Sequence, residues 1–190
     1  ATDAGGSNTV SDTYVLTVTN VNDAPTVANA IADASTAEDA AYSLSVANVC
    51  TDVDASDSLT YSISGAPSTI TISGTTISGT PVNANVGTHT ITVTCTDDSS
   101  ATATDQYVLT VTNVNDAPTV ANAISDVSAA EDAAYSLSVA NVCTDVDASD
   151  SLTYTISGAP STITISGTTI SGTPVNANVG THTITVTCTD

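Results

Sequence analysis

The chain has 190 residues, with neither Lys nor Arg, 20 acidic residues and a formal net charge of -20. That balance argues against binding to a nucleic-acid backbone, which depends on cationic side chains neutralising phosphates, and disfavours anionic membrane surfaces. Phe, Trp and Met are absent, so any core is built from Val, Ile, Leu, Ala and six Tyr, and no apolar run approaches the about 20 residues needed to span a bilayer.

Taken in chain order, residues 13–20 (Thr-Tyr-Val-Leu-Thr-Val-Thr-Asn) come first, and they reproduce residues 106–113 except at the first position. From Val21 onward seven runs read as strands: Thr26–Ala30, Ala41–Val46, Leu59–Ser64, Thr69–Ser73, Thr75–Ser78, Thr88–Cys95 and Gln106–Asn113. The period-2 alternation of half-buried strands is plain in the later ones. Leu59, Tyr61 and Ile63 share a face, as do Ile91, Val93 and Cys95, and as do Tyr107, Leu109 and Val111. Gly65-Ala66-Pro67, Ser73-Gly74 and Gly79-Thr80-Pro81 punctuate the runs as turns, and no window carries a helical stripe.

The segment Val21–Asp97 then recurs as Val114–Asp190, differing only at Ala32/Ser125, Ala34/Val127, Thr36/Ala129 and Ser62/Thr155. A period of 93 residues is too long for a solenoid turn and matches one small domain. Seven strands per period predict an all-β fold of tandem seven-stranded, Greek-key, immunoglobulin-like sandwiches. Residues 21–113 form one complete repeat on this reading. Residues 114–190 form a second lacking its last strand, and residues 1–20 are the terminal strand of a preceding repeat. With a one-residue gap, Ala1-Thr2-Asp3 stands where Cys95-Thr96-Asp97 stands later, so the sequence is expected to be a stretch cut in phase from a longer array.

Each repeat has two cysteines, Cys50 with Cys95 and Cys143 with Cys188, 45 apart both times. The even, repeated count fits one disulfide within each repeat, and hence an oxidising, extracellular or cell-surface location. The alternative is a pair of small buried thiols. Zinc is disfavoured, because close Cys pairs are absent and each repeat has one His.

Each repeat also carries a compact acidic loop, Asp52-Val53-Asp54-Ala55-Ser56-Asp57 in the first copy. Two carboxylates spaced i, i+2 in a loop offer hard oxygen ligands of the kind Ca²⁺ takes in sets of six to eight. More acids lie at Glu38-Asp39, at Asp97-Asp98 and in Asn20-Val21-Asn22-Asp23-Ala24-Pro25, and no basic residue offsets them. The competing reading is a set of solvated loop acids.

Both junctions run from a Val-Leu-Thr-Val-Thr-Asn strand into Val-Asn-Asp-Ala-Pro, followed by Asp-Val-Asp-Ala-Ser-Asp-Ser-Leu-Thr-Tyr, Ile-Ser-Gly-Thr-Pro and Thr-Ile-Thr-Val-Thr-Cys-Thr-Asp. This order of motifs resembles the bacterial cadherin-like and dystroglycan-type repeats of large surface adhesins, over nearly the whole of both repeats. The resemblance implies Ca²⁺ shared between neighbouring repeats. The ligands it implies at the junction between them are Glu38, Asn113, Asn115, Asp116, Asp145, Asp147 and Asp190. At the upstream junction they are Asn20, Asn22, Asp23, Asp52, Asp54 and Asp97. The sequence departs from the family at three places: Asn20 and Asn113 replace the linker's first acid, the linker is one residue short before its Pro, and the mid-domain acidic motif has no clear match, the nearest candidate being Pro81-Val82-Asn83. Fewer charged ligands imply weaker binding or fewer ions.

Catalysis finds no support. His89 falls on a regular strand, and neither a Gly-rich phosphate loop nor a nucleophile elbow is present. A non-enzymatic structural module is therefore expected: a repeat of an extracellular fibre, stalk or adhesin, partnered head to tail by copies of itself. A glycan- or protein-binding adhesion module and a spacer of a secreted enzyme are the alternatives. Near-identity of the copies favours the structural reading, since a binding face has no need of so exact a duplicate. Surface glycans remain possible partners, although Trp is absent and Tyr42, Tyr61 and Tyr107 all fall on inward faces. The sequence has no Asn-x-Ser/Thr sequon, which leaves the Ser/Thr-rich outward faces as O-glycan candidates.

Overall fold

The computed structural model describes Gly5 and residues 10–190. The Ala1-Thr2-Asp3 segment expected to continue a preceding repeat lies outside the described residues.

The first repeat is a two-sheet sandwich, and alternation decides which side of each strand faces the core. One sheet has the order β2 (Ala34–Ala37), β9 (Thr102–Thr112), β8 (Gly87–Thr96), β5 (Thr60–Ser64). The other has the order β3 (Tyr42–Ser45), β7 (Thr76–Gly79), β6 (Ile70–Ser73). Two short strands, β1 (Thr26–Val27) and β4 (Cys50–Thr51), pair beside them. Ile91, Val93 and Cys95 from β8 and Tyr107, Leu109 and Val111 from β9 point inward and are buried against Ile70 and Ile77 of the facing sheet. Between β6 and β7 only two residues turn the chain, and Gly74, at φ 56°, supplies the left-handed conformation such a loop requires.

The long runs emerge as expected, with ends moved by a few residues. Two departures have physical causes. The run expected at Thr26–Ala30 keeps only two strand residues, because just Thr26 and Val27 find partners, on Thr51 and Cys50. Strand β2 was not foreseen. Its sequence, Ala-Ser-Thr-Ala, shows little alternation, and it is a strand because it runs parallel to β9, with Ala34 opposite Leu109.

The second repeat repeats this plan in part. It has β10 (Thr119–Val120) with β12 (Cys143–Thr144), the sheet β11 (Tyr135–Ser138), β15 (Thr169–Gly172), β14 (Ile163–Ser166), and β13 (Thr153–Ser157) with β16 (Thr185–Thr189). The registers match the first copy: Tyr154 faces Cys188 as Tyr61 faces Cys95. Six strands of a repeat were expected here, but more than the last one is missing. Residues 127–130, the counterpart of β2, and residues 180–184, the counterpart of the first half of β8, form no strand. Both lean on β9 in the first repeat, so both lose their ladder when that strand is absent. Burying Tyr107, Leu109 and Val111 contributes on the order of 5–9 kcal/mol in the first repeat, an upper bound. In the second repeat a groove of about 710 Å³ opens instead, lined by Ile124, Tyr135, Leu137, Ile163, Ile170, Ile184 and Val186 among others.

Residues 13–20, expected as a strand, form none. Tyr14, Val15, Leu16 and Val18 are exposed. Their counterparts in β9 are a strand because β8 and β2 flank them; the segment at 10–20 has neither neighbour.

Candidate metal centre at the repeat junction

The junction is built by fixing Glu38 in place and closing the second repeat's acidic loop over it. The Glu38 backbone N–H donates to the Thr112 carbonyl at the end of β9. The next residue, Asp39, sits at φ 57°, a left-handed conformation Asp tolerates, and its N–H donates to the Pro81 carbonyl. Held at both points, the Glu38 side chain is 1% exposed. Its Oε1 accepts the Val114 N–H at 3.0 Å, while Oε2 is buried without a partner.

Across the junction, Asp147 is 2% exposed, and its Oδ2 accepts the Asp116 N–H at 2.7 Å. Oxygens of Glu38, Asp116 and Asp147 lie within 4.8 Å of one another. Asp145 accepts the Asp147 N–H at 2.9 Å, which folds the i, i+2 pair into a tight turn, and its Oδ2 is buried and unpartnered. Burial, then the carboxylates of Asp147, Asp39 and Asp145, push the Asp116 carboxyl above its ordinary pKa. A second grouping, Asp145, Asp147 and Asp150, shares Asp147 with the first. Asn115 donates to Asp190 at 2.7 Å, tying the linker to the end of β16. Asn113 is exposed.

At the upstream end the same parts recur. Asp23 N–H donates to Asp54 at 2.7 Å, and Asn22 donates to Asp97 at 2.9 Å. The Asn22 amide, with the backbone N–H groups of Ala101 and Ser99, holds the buried Asp97 carboxyl below its ordinary pKa despite the opposing effect of burial. Asp52, Asp57 and Asp97 bring oxygens within 4.8 Å, and one oxygen each of Asp52 and Asp57 is buried without a partner. Burial, then Asp54 and Asp52, push the Asp57 carboxyl up. Asn20 is exposed.

Three residues at these sites were not foreseen as site residues. Asp57 and Asp150 close the acidic loops; Asp57 was read as part of its loop but not as a ligand, and the place of both three residues after Asp54 and Asp147 is the signal that could have added them. Asn83 belongs to the junction through a hydrogen bond to Asp147. His89 is structural: its Nε2–H donates to the Asn85 carbonyl at 2.7 Å. Both disulfides are formed, Cys50–Cys95 and Cys143–Cys188.

The family described as "Putative Ig domain" matches residues 24–112 and again residues 117–190. The chain belongs to this family. It is a pair of tandem immunoglobulin-like β-sandwich repeats of cadherin-like form. Similar solved structures include mouse Cadherin-23 EC22-24, at 19% identity and a TM-score of 0.59, over 88% of this chain and 59% of that one. Protocadherin Gamma B2 extracellular cadherin domains 3-6 match at 12% identity and a TM-score of 0.50, over 87% and 43%. An endo-fucoidan hydrolase from glycoside hydrolase family 107 matches at 23% identity and a TM-score of 0.45, over 88% and 27%. The chain thus spans less than two thirds of the length of each, and at these identities the likeness is one of fold. Among curated proteins no sequence matches the chain. No helix among the described residues is long and apolar enough to cross a membrane.

Proposed function

We propose that the chain is a non-enzymatic structural module of an extracellular fibre, stalk or cell-surface adhesin, its repeats set head to tail and stiffened by Ca²⁺ at their junctions. The observations that support this best are the buried, unpartnered Glu38 Oε2 and the grouping of the Glu38 carboxylate with those of Asp116 and Asp147 from the next repeat. A buried carboxylate oxygen without a donor is costly, and the chain has no Lys or Arg to serve it. A hard divalent cation satisfies several such oxygens at once. Glu38, Asp116 and Asp147, with Asp145 and Asp150 beside them, are the residues that would hold it. Held there, a divalent cation would satisfy these carboxylates from two repeats together, which would favour one relative orientation of the repeats.

Head-to-tail order finds support in the groove of the second repeat. In the first repeat the equivalent space is filled by β9, and residues 13–20 carry nearly the same sequence as its 106–113 portion. A strand of that sequence, supplied by the same repeat's own continuation in a covalent array or by a neighbouring copy, completes the sandwich. We favour the covalent array.

The test is thermal unfolding with excess Ca²⁺ and with chelator. A ligand bound only by the folded form raises the midpoint by mass action. Superimposable melts sink the calcium reading.

A further inference from the structure

Asn83 lies on the first repeat, on the 3-10 turn Asn83–Asn85, yet its side chain reaches the second. Its Nδ2 donates to Asp147 Oδ1 at 2.8 Å. The amide nitrogen must be the end that faces Asp147, since the amide oxygen there would meet a carboxylate oxygen. The turn that presents it is itself pinned. The buried Asn85 accepts the Val82 N–H at 3.0 Å and the Thr69 hydroxyl at 2.9 Å. Asn83 therefore sits on a fixed platform next to Pro81, whose carbonyl holds Asp39 beside Glu38.

We propose that Asn83 is a positioning residue, a neutral clasp that orients the second repeat on the first without any cation. The inference rests on the reading of the repeats as a rigid array, and is separate from the calcium part of that reading. Asp147 is placed by two donors, the Asp116 N–H on one oxygen and the Asn83 amide on the other. A hydrogen bond to a charged group is shorter and about twice as strong as a neutral one. An acidic residue at position 83 would add a further negative charge beside Glu38, Asp116 and Asp147, and the junction would then open whenever cation was lacking. The neutral amide attracts Asp147 instead. Each Asp147 oxygen keeps a lone pair free, so clasp and cation are compatible.

The experiment compares the whole 190-residue chain with Asn83→Ala and Asn83→Asp, the latter similar in size but without the donor. Residual dipolar couplings measured in chelator read the alignment of each repeat separately. The wild type is expected to fit one shared alignment tensor, Asn83→Ala two, and Asn83→Asp two that merge when Ca²⁺ is added. Couplings within each repeat should be unchanged, which shows that neither variant has unfolded a repeat. A shared tensor for both variants in chelator overturns the clasp, and so does a wild type already split in chelator. The calcium reading is judged separately, by whether Ca²⁺ shifts the wild-type amides of Glu38, Asp116 and Asp147. Its failure leaves the clasp result standing.

Discussion

Ile91 and Ile184 occupy the same position of the same repeat sequence, but Ile91 is fully buried and paired with Tyr107, while Ile184 lines an open groove. The difference is one strand. Amides of residues 180–189 are therefore expected to exchange with solvent faster than those of 87–96, which sit in a complete ladder. Appending a copy of residues 98–113 after Asp190 should bring the two into line. Equal protection in the unextended chain, measured by hydrogen exchange, would show that β9 is not what orders β8.

Glu38→Gln should raise stability without cation and blunt the stabilisation that Ca²⁺ brings. In chelator it removes a buried negative charge beside Asp116 and Asp147, so the first repeat should gain stability, by roughly 1–3 kcal/mol, the usual worth of a buried unsatisfied polar group. In Ca²⁺ it removes a charged ligand, so the gain from added cation should shrink. Paired thermal melts of wild type and variant check this. A variant destabilised equally in both conditions would make Glu38 a plain packing residue.

What was legible in the sequence, and what was not, divides along physical lines. Strands β5, β8 and β9 declare themselves, because Tyr61/Ile63, Ile91/Val93 and Tyr107/Leu109 must face one core. Strand β2 does not, because its four small residues are ordered by a parallel partner some 75 residues away. The first half of β9 is similarly silent: Thr-Ala-Thr-Asp has no large apolar residue, and it pairs because β8 extends opposite it, Thr94 to Thr104. Among site residues, the linker and loop acids show through their repetition. Asn83 shows only as part of Pro81-Val82-Asn83, the nearest candidate for a mid-domain acidic motif, and a neutral amide in a turn carries no sign of the carboxylate it meets.

The disulfides should matter unequally. A closed loop of 45 residues stabilises by about 4 kcal/mol on the chain-entropy model. The first repeat has ten buried apolar residues clustered with its buried bridge, the second only three, so the second has less to fall back on. Stepwise reduction followed by near-ultraviolet circular dichroism and proteolysis should release the second repeat first. Intact mass before reduction should be four hydrogens below the reduced chain.

Acid should first help this protein and then harm it, when no cation is present. Asp57 and Asp116 have folded-state pKa values above the ordinary 3.8. Their charged forms are disfavoured on folding, so stability is greater below their unfolded pKa and is lost as pH rises through the folded values. Asp97 is shifted the other way. Its hydrogen-bonded carboxylate stabilises the fold above its unfolded pKa, and that contribution is lost as pH falls through a folded value below 3.8. Between the two lies a window just above 3.8 in which Asp57 and Asp116 begin to take up protons while Asp97 stays charged. Melting temperature in chelator should therefore rise as pH drops from neutral into that window, and fall on further acidification. With Ca²⁺ present the cation already satisfies the clustered oxygens, and protons must compete with it, so the rise should flatten. A monotonic decline from neutral pH in chelator would mean that these carboxylates do not repel one another enough to matter.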